Sequence, residues 1–319
     1  MRPLMISGIV CTLFVTLVTP AAAQPGGSIR TGTFGDIRLG GGLFSARASG
    51  LDVLADNERL ESLDARGGRQ EEGFGLIGGE LGYGFAKTGT TLLVGVDSQD
   101  PVHLSLRQQA DGWGELALSA LYQEKDVWEN PYLSGVKRSG TGAESVGFAL
   151  SWNNILSTGV RISFEQMHTD VAEDRIGQMH PDLRRDGTDS KLAVEYSWDL
   201  GGAGVLNPSL SHTWIDRQGA GNAGNAIDVA LAHLFTAGRL CFATKLEVRR
   251  TEFDALHVIF DKKREESAFG ISEMVSLAEP LGFENWYLIG FAAYSETAAN
   301  ITFFDSSGIV LGSGIGYRF

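Results

Sequence analysis

The feature that most constrains this chain is the strict alternation of its side chains. From Ser190 to Asp199, Leu192, Val194, Tyr196 and Trp198 fall on one parity, and Lys191, Ala193, Glu195 and Ser197 on the other. That is the period-2 pattern of a strand with one greasy and one wet face. Val160, Ile162 and Phe164 alternate with Arg161, Ser163 and Glu165 in the same way, and Leu240, Phe242, Thr244, Leu246 and Val248 alternate with Cys241, Ala243, Lys245, Glu247 and Arg249. Beyond the first residues, no segment approaches the roughly 18 consecutive apolar residues of a membrane helix. Lipid offers the backbone no hydrogen-bond partner, so strands of this kind cross it only as a closed sheet.

The two ends of the chain agree with export to such a membrane. Arg2 precedes an apolar run from Leu4 to Val18, followed by Pro20 and Ala21-Ala22-Ala23, the layout of a cleaved signal peptide. The expected organisation is a leader at 1–23 and one barrel domain at 24–319, in the outer membrane of a Gram-negative bacterium. At the other end Ile309, Leu311, Ile315, Tyr317 and the final Phe319 share one parity. Tyr317 and Phe319 resemble the C-terminal signal read by the barrel-assembly machinery. Once Cys11 leaves with the leader, Cys241 is the single cysteine and no intrachain disulfide can form. A net charge of −13 argues against nonspecific nucleic-acid binding.

Fourteen alternating segments are read, from Asp36–Ala48 to Gly308–Phe319, with twelve and sixteen as the neighbouring even counts. The predicted fold is therefore an all-β, antiparallel transmembrane barrel of about 14 strands. A phase shift at Ile77 to Gly79 reads as a glycine bulge. Short links such as Lys87-Thr88-Gly89 alternate with long ones at Ser49–Glu72, Glu124–Ala143, Thr169–Asp189, Asp216–Asn225, Thr251–Glu265 and Ser295–Ser307. With both termini in the periplasm, the long links become extracellular loops.

The inward face is expected to carry Arg107, Arg161, Glu165, Lys191, Glu195, Lys245, Glu247 and Arg249. Such a ladder sets ion preference in a wet pore, and it equally serves as cross-strand pairs that stabilise a polar interior. The loops carry a basic patch of Lys137, Arg138, Arg184, Arg185, Lys262, Lys263 and Arg264. It reads either as a site for an anionic ligand or lipopolysaccharide phosphate, or as partners for Glu173, Asp174, Asp182, Asp186, Glu265 and Glu266 that order the loops. For catalysis the nearest grouping is Ser209, Ser211 and His212 with Asp216, in which the serines and the histidine point to opposite faces of a strand. His168, Asp170, Glu173, Asp174, His180 and Asp182 match no metal-ligand spacing. No catalytic, cofactor or metal residue is assigned, and no enzyme is expected.

Several loop segments together resemble a family of proteobacterial outer-membrane proteins catalogued as domain of unknown function 2860. They are Val127-Trp128-Glu129-Asn130-Pro131-Tyr132-Leu133-Ser134-Gly135-Val136-Lys137-Arg138, Arg184-Arg185-Asp186-Gly187, Ile259-Phe260-Asp261-Lys262-Lys263-Arg264 and Asn300-Ile301-Thr302-Phe303-Phe304-Asp305. His257-Val258 stands where Asn-Pro is expected, and Phe304 where Tyr is. The resemblance implies a barrel of this length and brings no substrate or catalytic residues. The expected function is a porin-like channel for small hydrophilic solutes, in contact with outer-membrane lipid and lipopolysaccharide. The alternatives are a non-conducting recognition barrel and a plugged carrier of hydrophobic compounds.

Overall fold

Alternation becomes a closed ladder. The computed structural model describes residues 31–49, 58–64, 66–97 and 101–319, so the expected leader at 1–23 lies outside the described residues. The strands are β1 (Gly32–Ala48), β2 (Arg69–Phe85), β3 (Thr90–Asp97), β4 (Val102–Ala110), β5 (Gly114–Trp128), β6 (Gly140–Asn153), β7 (Val160–Val171), β8 (Gly187–Tyr196), β9 (Trp198–Asp199), β10 (Val205–Arg217), β11 (Gly224–Ala237), β12 (Leu240–His257), β13 (Lys262–Ala278), β14 (Trp286–Ala299) and β15 (Ser306–Arg318). β9 continues β8 past Ser197, and both pair with β10. Fifteen segments therefore make fourteen staves.

Each stave is antiparallel to its neighbours, and β1 pairs with β15 as well as with β2, which leaves the ring without an edge. The seam closes at the turn end, where Gly35 and Phe319 exchange both backbone hydrogen bonds at 3.1 Å. At a spacing of about 4.8 Å and a tilt of about 40°, fourteen staves enclose a backbone diameter of roughly 28 Å. No helix among the described residues is long and apolar enough to cross a membrane.

The outer face is apolar, with Leu39, Leu43, Leu81, Val94, Leu104, Leu118, Val146, Val194, Val229, Val248 and Leu311 all exposed. Aromatic rings gather on it beside the short links, where Trp113 stacks with Trp152 at 6.4 Å and Trp286 meets Tyr317 at 5.1 Å. That is a girdle at one membrane interface.

Two readings are corrected. The β1–β2 register runs unbroken from Arg47↔Arg69 to Gly32↔Gly84, so no bulge interrupts β2. Leu76 points inward there, which gives the appearance of a slipped phase. The irregularity lies instead in the β12–β13 ladder, between Glu252 and Leu256. Those two strands also run well past the apolar band, leaving a four-residue turn at 258–261 in place of the long loop expected at Thr251–Glu265. The outer face turns charged at that height, with Arg250 2.6 Å from Glu265, so hydrophobic alternation ends while the backbone ladder continues.

One stretch of wall is low. β3 and β4 have 8 and 9 residues, against 17 in β2 and 15 in β5. β2 pairs with β3 only from Gly78 onward, and β5 pairs with β4 only up to Tyr122.

Candidate functional site

The long links do not splay apart. Leu60, Tyr132, Ile176, Leu183, Ile301 and Phe303 form one buried cluster, with Leu63, Ile259, Phe260 and Phe304 packed against it. These residues come from the β1–β2, β5–β6, β7–β8, β12–β13 and β14–β15 links. The β10–β11 link joins through Gly221, whose N–H donates to the Asp182 carbonyl at 2.8 Å, and Asn222, whose side chain donates to the Leu183 carbonyl at 2.8 Å. Tyr132 and His257 stand six staves apart in a ring of fourteen, yet the Tyr132 hydroxyl and His257 Nε2 are 2.9 Å apart. Contact between opposite sides of the ring places this core across the mouth, as a dome.

Polar side chains tie the dome together. Arg138 lies 4.4 Å from the Trp128 ring and donates to the carbonyls of Ser49 and Pro131 at 3.0 and 2.9 Å. Burial pulls its guanidinium down to about 10. Arg185 makes a 2.8 Å ion pair with Asp174 and donates to the Trp128 carbonyl at 2.7 Å. Arg264 is sandwiched 3.3 Å from the Phe253 ring and 4.1 Å from Phe304, with Glu266 3.4 Å away. Burial pushes the Tyr132 hydroxyl up to about 12 and pulls the buried His257 imidazole down to about 4, the latter aided by the Arg264 charge.

The basic patch therefore divides. Arg138, Arg185 and Arg264 are built into the dome, and Lys262, Lys263 and Arg264 open β13 where a loop was expected. Lys137 is exposed and paired 2.6 Å from Glu58. Exposed Arg184 donates to Gln218 at 3.1 Å, and Lys262 to the Asn300 carbonyl at 2.5 Å. Lys263 is exposed.

The lumen has two sides. Arg107, Arg161, Glu165, Lys191, Glu195, Lys245, Glu247 and Arg249 all occupy the parity opposite the exposed apolar face. Arg161 sits directly across from Glu195, and Glu165 across from Lys191. Lys245 is 2.6 Å from Glu247, and Arg249 is 3.3 Å from Asp228. From β13 round to β3 the wall is mostly apolar instead. Phe44, Ala46 and Val310 pack with Phe74 and Phe291, and Met274, Tyr287 and Ile289 form a second cluster beside them. Its charges include Arg38, 3.6 Å from Asp36 and 3.5 Å from Asp97. This side is hard to read in the sequence, because its inward residues are spread thinly among glycines.

Those glycines make room for rings. Tyr287 lies across Gly316 on β15 to donate a 2.7 Å hydrogen bond to Asp36 on β1, and a Cβ on Gly316 would sit 2.2 Å from the ring. Phe291 lies across Gly312 and Phe74 across Gly42 in the same way.

Ser209 and Ser211 face the lumen, whereas His212 faces outward against Trp214 at 4.4 Å. His168 and Asp170 are exposed, Asp174 is committed to Arg185, and no group of three His, Cys, Asp or Glu among the described residues is spaced to hold a metal.

The profile of the family described as "Protein of unknown function (DUF2860)" matches residues 32–318. No curated protein sequence matches the chain. Among solved structures, the CymD monoaromatic hydrocarbon channel is 10% identical with a TM-score of 0.51, over 99% of this chain and 94% of that one. An anion-selective porin from Comamonas acidovorans is 10% identical with a TM-score of 0.40, over 92% of this chain and 100% of that one. A Pseudomonas aeruginosa FadL homologue is 11% identical with a TM-score of 0.42, over 90% of each chain.

Proposed function

Because this chain belongs to the DUF2860 family, whose description assigns no activity, we propose its function from the barrel itself: an outer-membrane channel for small hydrophilic solutes. The charged wall carries this reading. Paired Arg161–Glu195 and Glu165–Lys191 keep one side of the lumen wet, and water-filled barrels are lined in this way. In this reading the turn end faces the periplasm and the dome faces outside. A leader at 1–23 directs export and is removed, and the assembly machinery reads Tyr317 and Phe319. The exposed Lys137, Arg184, Lys262 and Lys263 face lipopolysaccharide.

Single-channel recording in a planar bilayer under a salt gradient tests the channel. The named ladder pairs cancel in charge, so the expected result is discrete steps with a reversal potential near zero. A silent bilayer from protein whose folding is established by heat-modifiable gel mobility would overturn it. The dome favours a second reading under that outcome, a non-conducting barrel that presents its loop surface to a ligand.

A further inference from the structure

Five neighbouring staves interrupt the outer apolar band at its middle. On β13 the outward residues from Phe269 to Leu277 are apolar except Glu273, which stands at their centre. At the corresponding place β12, β14, β15 and β1 carry Thr244, Gly290, Ser313 and Gly41. Elsewhere round the barrel that depth is held by exposed apolar residues such as Val94, Leu118, Val194 and Val229. The other Asp, Glu, Lys and Arg side chains on the outer parity of the described strands lie toward the loop end, as Arg250, Glu265 and Glu296 do. Glu273 alone carries a carboxyl into the middle of the band, where it accepts a hydrogen bond from the Thr244 hydroxyl.

Nothing within the chain calls for a glycine at position 290. A Cβ there would meet nothing within 4 Å, unlike Gly312 and Gly316, which clear space for rings, and glycine weakens a strand. Apolar walls gain little by exchanging lipid for one another, so association in a bilayer draws on close backbone approach and on hydrogen bonds, as between membrane helices. This face supplies both. Along β14 the outward positions between Leu288 and Tyr294 are Gly290 and Ala292. On the staves to either side stand Glu273, an acceptor, and Ser313, a hydroxyl donor. Glu273 precedes Ala278, the last residue of β13, by five, and Ser313 precedes Arg318, the last of β15, by five. Gly290 follows Trp286, the first of β14, by four. The three therefore lie at nearly one depth.

A two-fold axis along the membrane normal through Gly290 would bring the two β14 strands together and set each Glu273 opposite Ser313 of the partner subunit, an acceptor against a donor on both sides of the axis. Such a contact is self-complementary, as a closed dimer requires. Five staves at about 4.8 Å, over a band about 25 Å tall, offer roughly 600 Å² per copy, in reach of the roughly 800 Å² per partner of a specific interface. We propose that this face, from β12 round to β1, is where a second copy of the chain docks side by side in the membrane. The dimer rests on the outer-membrane reading and not on conduction.

The test uses the full chain in a Cys241→Ser background, dilute in phosphatidylcholine vesicles, with copper phenanthroline as oxidant and the disulfide-linked dimer read on a non-reducing gel. Gly290→Cys, on the axis, is expected to link several-fold faster than Leu118→Cys, which lies at similar depth across the barrel. Glu273→Cys copies mixed with Ser313→Cys copies are expected to link several-fold faster than either alone, because the axis sets each position opposite the other and not opposite itself. Adding Gly290→Trp to both is expected to remove that excess. Equal rates at Gly290→Cys and Leu118→Cys would overturn the pairing and leave the face to lipid. A mixture no faster than its components, or one indifferent to Gly290→Trp, would overturn the two-fold contact. Heat-modifiable gel mobility and flotation with the vesicles establish folding and insertion in every sample, so a chain that fails to enter the bilayer is told apart from one that enters and stays single.

Discussion

His257 is the residue on which the dome is most sensitive to acid. Its imidazole is buried, bonded to Tyr132, and packed against Phe260 and Phe304 at 5.0 and 5.5 Å, with the Arg264 guanidinium and the His180 side chain near it. Burial holds it at about 4 in the folded chain, against 6.5 for an ordinary histidine. Between those values the unfolded form binds more protons, so the contribution of His257 is complete above about pH 6.5 and is lost as the pH falls toward 4. The protection of dome amides against hydrogen exchange, taken relative to the intrinsic rate at each pH, is expected to fall between pH 7 and pH 5, and His257→Phe to blunt that dependence. An unchanged profile in the variant would remove the assignment. At this scale the sequence was a partial guide. Its spacing marked Arg138, Arg185 and Arg264 as loop cations, with acidic partners such as Asp174 and Glu266 named as one reading. It gave no sign that rings would enclose Arg264, because Phe253 and Phe304 become its neighbours only through the fold.

Among the elements, the seam strands β14, β15 and β1 depend on what is missing. Gly316 leaves the space that Tyr287 fills on its way to Asp36. Gly316→Val is expected to displace that ring, break the Tyr287–Asp36 bond and destabilise the barrel by about 1–3 kcal/mol through overpacking. The check is the temperature at which the gel band shifts from folded to unfolded mobility, and a shift equal to wild type would show that the ring is not needed at the seam. Strand positions were largely legible, because lipid enforces an outer apolar parity over the whole ladder. β3 was read at its observed bounds, Thr90–Asp97. Ends on the loop side were read short, as in β12, which continues to His257. Above the lipid that parity relaxes, and with it the signal. The inner face of β14 to β2 was illegible for the opposite reason. Tyr287, Phe291 and Phe74 are separated in the sequence and converge only when neighbouring staves align.

For the whole molecule, the number of staves followed from counting alternations, but the dome did not, since its core draws single residues from links spread along the chain. Tyr132 lies at the centre of that core, in contact with His257, Phe260, Phe303 and Phe304. Tyr132→Ala is expected to cost the dome about 3–5 kcal/mol. Limited proteolysis should then cut the links that wild type protects, and any conductance should rise while the gel mobility of the folded barrel is retained. Protection equal to wild type would mean that the links are held independently of their shared core. The ring is shut by the β1–β15 ladder, from Asp36↔Arg318 to Ala48↔Ser306. A copy that lacks either strand keeps two raw edges, and raw edges pair with other chains, so failed closure is expected to show as aggregation rather than as a smaller barrel.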